Sequence, residues 1–268
     1  MRGFLPAVAR SGLVIVLAAC GSVQNQIPAD AGPIDAAPMI DAWASNCAPP
    51  MQITPVEASD STFSNACVHG QWYLEALNGT TTPSAPDQPD HAVEVRPVSI
   101  PSGTNLQTPS STFAVHVTGS GQENTSTEFS FAQLTASLNA PSSTQTGTVD
   151  ASAYTGIQFD AIINTASTGA RLTVANLYTD PVGGMCTTTD GQPNSCFDHP
   201  GLQLAVHSTW SRYQVPFASL TQLGFGNHSP TGAAFPRNAI TLMKWDIGVP
   251  SSGPTGSWEL WVDNLQFY

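Results

Sequence analysis

The amino-acid sequence predicts an all-β protein, a sandwich of two antiparallel sheets. Apolar and polar residues alternate at period two in several runs, which places one side of a strand on a core and the other in water. Gly- and Pro-rich breaks separate those runs. No stretch carries an apolar stripe at helical spacing, apart from a single turn at Phe217-Ala218-Ser219-Leu220. Many antiparallel strands, each with one wet face, are accommodated by stacking two sheets.

Each strand has its own signal. Phe113, Val115 and Val117 alternate with Thr112, His116 and Thr118. Ile157, Phe159, Ala161 and Ile163 alternate with Gln158 and Asp160. Leu202, Leu204 and Val206 alternate with Gln203 and His207, and Tyr213, Val215 and Phe217 line one side of the next run. Residues 91–96, 128–134, 171–178, 240–248 and 257–267 are the other strand candidates. The Pro/Ser/Thr-rich stretches 79–90 and 99–111 read as long loops between strands.

The N-terminus reads differently. Arg2 and Arg10 precede the apolar run Leu13-Val14-Ile15-Val16-Leu17, which ends in Leu17-Ala18-Ala19-Cys20. A basic start, a short apolar segment and small residues before a cut site make a secretory signal peptide. The run is too short to cross a hydrocarbon layer of about 30 Å as a helix. Leu-Ala-Ala-Cys in that position resembles the lipobox of bacterial lipoproteins. The resemblance implies removal of residues 1–19 and acylation of Cys20, hence attachment to a membrane. Gly21 after the cysteine, in place of an inner-membrane retention aspartate, implies the outer membrane or cell surface. Residues 20–46 hold Pro28, Pro33, Pro38, Asp30, Asp35 and Asp41 and no basic residue. They offer too little apolar surface to offset ordering entropy and are expected to form a flexible tether. Residues 47–268 are long enough for one large β domain.

Charge and cysteine content narrow the function classes. The formal net charge is −12, and loss of Arg2 and Arg10 with the signal peptide takes it to −14. Lys244 is the only lysine. Nucleic-acid binding, which depends on basic side chains neutralising phosphates, is disfavoured. An acidic balance suits cation binding or plain solubility. Setting Cys20 aside leaves Cys47, Cys67, Cys186 and Cys196, which allow three pairings. Neighbour pairing, Cys47–Cys67 and Cys186–Cys196, closes the shortest loops and is expected in an oxidising compartment. Each bridge would stabilise by about 2–4 kcal/mol.

The C-terminal half contains a recognisable pattern. Trp210-Ser211-Arg212-Tyr213-Gln214-Val215-Pro216-Phe217 and the closing run Trp258-Glu259-Leu260-Trp261-Val262-Asp263-Asn264-Leu265-Gln266-Phe267 stand with the strand at 156–163. Together they resemble family 11 carbohydrate-binding modules, jelly-roll sandwiches of the galactose-binding-like fold, over about residues 150–268. The resemblance implies a non-catalytic domain whose partner is a polysaccharide or cell-envelope glycan. It also implies a structural calcium near the joined terminal strands, with Glu57 and Asp263 as side-chain ligands; calcium takes six to eight oxygens, which carboxylates and loop carbonyls supply.

Sugars stack on aromatic faces and hydrogen-bond to nearby polar groups. Trp72, Tyr73, Tyr178 and Trp245 are the candidate platforms. Asp180, Asp198 and His199 flank the Gly-rich segment that a Cys186–Cys196 bridge would pin, and preorganised polar groups on a pinned loop suit ligand recognition. Catalysis has weaker support. No Gly-x-Ser-x-Gly elbow, phosphate loop or dinucleotide fingerprint occurs. Glu57, Glu75, Glu94, Glu123, Glu128 and Glu259 are scattered along the chain, so a glycosidase pair would have to form in three dimensions. A carbohydrate-active hydrolase and a structural or protein-partner module of the cell envelope are the alternatives to glycan binding.

Overall fold

Period-two alternation places the strands, and their pairing builds two sheets. The computed structural model describes residues 51–53, 61–64, 68–84, 92–101, 112–124, 130–138, 147–165, 169–189, 194–228 and 235–268. The signal segment, Cys20, the tether, Cys47, Glu57 and Cys67 lie outside the described residues. The lipid anchor, the Cys47–Cys67 bridge and one half of the calcium pair lie outside with them.

In chain order the strands are β1 (Met51–Gln52), β2 (Thr62–Ser64), β3 (His69–Leu77), β4 (Thr80–Thr82), β5 (Ala92–Glu94), β6 (Val98–Ser99), β7 (Phe113–Ser120), β8 (Phe131–Leu138), β9 (Gly156–Thr165), β10 (Ala170–Asn176), β11 (Gly201–Leu204), β12 (His207–Pro216), β13 (Ile240–Ile247) and β14 (Trp258–Phe267). The first sheet runs β12-β9-β14-β7-β4, with β1 also on β14 and β6 on β7. The second runs β11-β10-β13-β8-β3-β2, with β5 also on β3. Every strand pair is antiparallel. Among the described residues there is no α-helix; Phe217–Ser219 forms the expected single turn, as 3-10. The architecture is the all-β sandwich of two antiparallel sheets that the alternation predicts, with the jelly-roll form that the resemblance implies.

Several strand expectations change. Thr80–Thr82, inside the stretch 79–90 expected as a loop, forms β4 and pairs with β7, because β-branched threonines suit an extended edge. β3 falls outside the predicted strands, yet it lies inside the second sheet between β8 and β2. Its inward set is Gly70, Trp72, Leu74 and Ala76, and glycine and alanine give a faint hydrophobic signal. Val206 was expected on a core face but is exposed. The run ends at Leu204 in the second sheet, and His207 starts β12 in the first. The chain crosses between sheets at Ala205-Val206, so the alternation there does not belong to one strand.

The core lies between the inner faces of the two sheets. Phe159 of the first sheet meets Trp245 of the second edge-on, 5.3 Å between centroids and 89° between planes. Tyr213 stacks on Phe159 at 5.1 Å, and Trp72 packs against Trp245 at 5.6 Å. Such pairs add about 0.5–1.5 kcal/mol each to the apolar area they bury. A smaller apolar cluster, Ile100, Ala114, Ile162 and Trp261 with Trp210 against it, sits apart from this core.

Candidate functional site

The four aromatic candidates separate by strand parity and by burial. Trp72 and Trp245 are 1% and 0% exposed. They fill the core, so neither ring presents a face to a sugar, which corrects the expectation of two indole platforms. Tyr73 is the next residue along β3, and the pleat turns it to the opposite side of the sheet, where it is half-buried. Tyr178 is also half-buried; its backbone N–H bonds the Asn176 side chain and its carbonyl accepts from the Asn227 amide at 2.6 Å.

The 177–200 segment is pinned, as expected, by the Cys186–Cys196 disulfide. Asp180, Asp198 and His199 turn inward and hold the segment together. Asp180 Oδ1 accepts from the Val182 N–H at 3.0 Å, and its Oδ2 accepts from the Thr241 hydroxyl at 2.6 Å. Asp198 accepts from the N–H groups of Leu223, Gly224 and Gly226 at 2.9, 2.8 and 3.3 Å, fastening a second loop to the first. His199 Nδ1 lies 2.9 Å from the Thr179 hydroxyl. Burial, then the positive charges of Lys244 and Arg171, push the imidazole pKa well below its ordinary value. Gly183 closes the first turn of the segment, because a Cβ there would collide with the Leu177 carbonyl. All three predicted polar residues, Asp180, Asp198 and His199, are buried.

The outer face of the second sheet, alongside this segment, is polar and recessed. Strand register sets two rows across it. Tyr73 pairs with Thr135, Thr135 with Lys244, and Lys244 with Thr173. Glu75 pairs with Gln133, Gln133 with Asp246, and Asp246 with Arg171. Lys244 Nζ donates to Gln133 Oε1 at 3.0 Å and to Glu75 Oε2 at 3.3 Å, bridging the rows. The Thr173 hydroxyl donates to Asp246 Oδ2 at 2.9 Å. Asp246 Oδ1 is buried with no hydrogen-bond partner among the described residues. Burial raises the Asp246 carboxyl above its ordinary value, opposed by Lys244, Thr173 and Arg171. Burial, then the charges of Glu75 and Asp180, also raise the Tyr73 phenol. Donors and acceptors thus alternate across four strands, beside a tyrosine held neutral.

No protein-family model matches the chain, and no curated protein matches it. Solved structures that it resembles include the family 11 carbohydrate-binding module of the cellulosomal cellulase Lic26A-Cel5E of Clostridium thermocellum. That likeness is at 13% identity and TM-score 0.43, covering 73% of this chain and 86% of that one. A family 11 module from the same organism in complex with a β-1,3-1,4-mixed-linked tetrasaccharide is similar at 14% identity and TM-score 0.42, covering 73% and 87%. The module in a solution structure with dynamics and binding studies is similar at 16% identity and TM-score 0.43, covering 73% and 87%.

Sequence reasoning did not single out Gln133, Asp246, Arg171 or Thr173. One signal was present: Lys244-Trp245-Asp246 sets two charges around a tryptophan. In a strand that pattern sends the charges to the face opposite the indole. The calcium ligands fare differently. Asp263 is buried and its Oδ1 accepts from the Asn264 N–H at 2.7 Å. Asp160, its register neighbour, is taken up by Arg212 at 2.8 and 2.9 Å and by the Asn264 amide at 2.9 Å. Among the described residues no group of three or more His, Cys, Asp or Glu side chains could hold a metal ion. Glu57, the ligand that the resemblance pairs with Asp263, lies outside the described residues.

Proposed function

We propose that this chain is a non-catalytic glycan-binding module whose binding face is the outer side of the second sheet. The observation that supports this reading is the pair of polar rows centred on Lys244. A glycan offers many hydroxyls, each both donor and acceptor, and is matched by a surface where donors and acceptors alternate at strand spacing. Lys244 and Arg171 donate, Glu75 accepts, and Gln133 does both, above the buried Asp246 carboxyl. Tyr73 adds an aromatic edge beside them. The groups are held in place by the sheet before a ligand arrives, which lowers the ordering cost of binding. The resemblance of residues 210–217 and 258–267 to family 11 modules points the same way.

In this reading Cys20 is acylated, residues 20–46 join that anchor to the module, and the module works by apposition at the cell surface with no bond broken. Affinity electrophoresis on immobilised neutral polysaccharides tests the binding. Retardation by at least one polysaccharide is expected, and Lys244→Met, on protein that still folds by circular dichroism, should weaken it at least tenfold. No retardation across the panel, or retardation unchanged in both Lys244→Met and Tyr73→Ala, would overturn the reading. Labelling with a radioactive fatty acid tests the anchor: incorporation lost in Cys20→Ala is expected.

A second reading draws on Glu75 and Asp246. They occupy one row with Gln133 between them, so their backbones lie about 10 Å apart at ordinary strand spacing. Carboxyls about 6.5–9.5 Å apart serve inverting hydrolysis, and a raised acid beside a second carboxylate is the usual division of roles. Release of reducing sugar, abolished by both Asp246→Asn and Glu75→Gln, would favour a hydrolase over a binding module.

A further inference from the structure

We propose that the outer face of the first sheet carries a second and separate binding site for a short neutral saccharide. The site is a pocket of about 470 Å³ over β4, β7, β9 and β14. It does not depend on the face proposed above.

Register builds the pocket. Asn164 pairs with Glu259, Glu259 with Thr118, and Thr118 with Thr82. Four polar side chains from four adjacent strands therefore stand in one row, spanning about 14 Å at ordinary strand spacing. That is the scale of a short oligosaccharide. Thr80 and Ser120 form the next row, with their hydroxyls 3.3 Å apart. None of the hydrogen bonds within the described residues uses the Asn164 amide or the Thr118 hydroxyl.

Glu259 is the anchored member of the row. Its Oε1 accepts from Trp261 Nε1 and from His116 Nε2, each at 3.0 Å. The imidazole stacks on the indole at 3.7 Å and 13°. A carboxylate can only accept, so this contact places the imidazole proton on Nε2. Two donors on one oxygen fix the carboxylate and leave Oε2 without either bond. An immobilised acceptor of this kind discriminates ligands, because one lacking a hydroxyl at that point leaves it unpaired.

The lining decides the ligand class. It contains no lysine or arginine, so nothing neutralises a phosphate, sulfate or uronate, and Glu259 repels them. One carboxylate among hydroxyls falls short of the oxygen shell a calcium ion needs. An amide, a fixed carboxylate and several hydroxyls are the complement of a neutral ligand rich in hydroxyl groups. Two glycan sites on opposite faces of one sandwich would allow one module to bridge two chains.

Two-dimensional amide NMR of the labelled module tests this. The probes are cellohexaose, xylohexaose, mannohexaose and a mixed-linked β-glucan tetrasaccharide, with a glucuronate oligomer and calcium chloride as charged controls. At least one neutral probe should give saturable shifts in the amides of β4, β7 and β14. Asn164→Ala and Thr118→Val, both on the solvent side of the sheet, should weaken that response at least tenfold, and Lys244→Met should leave it unchanged. Silence of these amides toward every neutral probe would overturn the proposal. So would shifts indifferent to both variants, or a stronger response to glucuronate or calcium. A response confined to the Lys244 face would overturn this site alone; a response confined to β4, β7 and β14 would overturn only the face proposed above.

Discussion

Lys244 places its ammonium 3.0 Å from the Gln133 amide oxygen and 3.3 Å from the Glu75 carboxylate, so one side chain ties β13 to β8 and β3. Both members of the ion pair are recessed, at 11% and 21% side-chain exposure. A charge-assisted contact in such a place gains from reduced solvent screening, yet each charge has also lost part of its hydration. The pair is therefore a positioning device first: it holds the polar rows in one arrangement.

Removing one partner leaves the other half-buried and unpaired. Lys244→Met is expected to destabilise the fold by about 1–3 kcal/mol, read as a lower urea midpoint. Glu75→Gln combined with Lys244→Met should cost less than the sum of the two single changes, because the contact can be lost only once. Additive costs would show that the two side chains act separately.

Trp245 belongs to the core in spite of lying between two face residues. Trp245→Ala should cost about 3–5 kcal/mol, since the contacts with Phe159 and Trp72 are lost and a cavity remains. Trp245→Phe should retain glycan retardation on the folded protein. A loss of binding without a loss of stability in Trp245→Phe would return the indole to the list of platforms.

That tryptophan also shows what can be read in the sequence and what cannot. Strict alternation along β7 and β9 reveals the sandwich, because burial on one face constrains every second residue. β3 escaped, since its inward positions include Gly70 and Ala76, which barely register as apolar. Trp72 and Tyr73 are adjacent and equally plausible as platforms; only pairing with β8 decides which one faces the core. The polar face is still less legible. Lys244 meets Gln133 and Glu75 across separations of 111 and 169 residues, and no local pattern encodes such a meeting. The pinned loop is legible in the short spacing of Cys186 and Cys196. That Asp180 and Asp198 turn inward to backbone and hydroxyl donors depends on how the loops fold over the sheet.

Asp198 is the clearest case of that inward turn. One carboxylate satisfies three backbone N–H groups of the 223–226 loop. Asp198→Ala strands them, and the change is expected to cost about 2–4 kcal/mol in total. Asp198→Asn keeps one acceptor oxygen and should cost less. Hydrogen exchange should show Leu223, Gly224 and Gly226 exchanging faster in Asp198→Ala than in the parent. Unchanged exchange would mean the loop is held by other contacts.

Reduction of the neighbouring disulfide acts on the same segment by a different route. The Cys186–Cys196 bridge closes a loop with a sequence separation of 10, and its loss releases chain entropy mainly in the unfolded state. A double Cys→Ser change at these positions should lower stability by about 2–3 kcal/mol, with both sheets retained by far-ultraviolet circular dichroism. Loss of sheet structure would show that the bridge is needed to fold and not only to stabilise.

His199 makes stability depend on pH. Its folded pKa is depressed by burial and by Lys244 and Arg171, while the unfolded chain titrates near the ordinary value of about 6.5. Above that value both states are neutral and the contribution is fully present. As pH falls below it, the unfolded chain takes up a proton that the folded state refuses, and stability falls until the folded pKa is reached. The slope approaches about 1.4 kcal/mol per pH unit for one proton. His116, whose pKa is also lowered by burial, adds a slope of the same sign, so the informative quantity is a difference between two curves. Urea midpoints measured from pH 8 to pH 5 should fall more steeply in the parent than in His199→Asn, which cannot titrate. Parallel curves would mean that the imidazole accepts its proton without the segment opening, and that burial beside Lys244 and Arg171 does not hold it neutral.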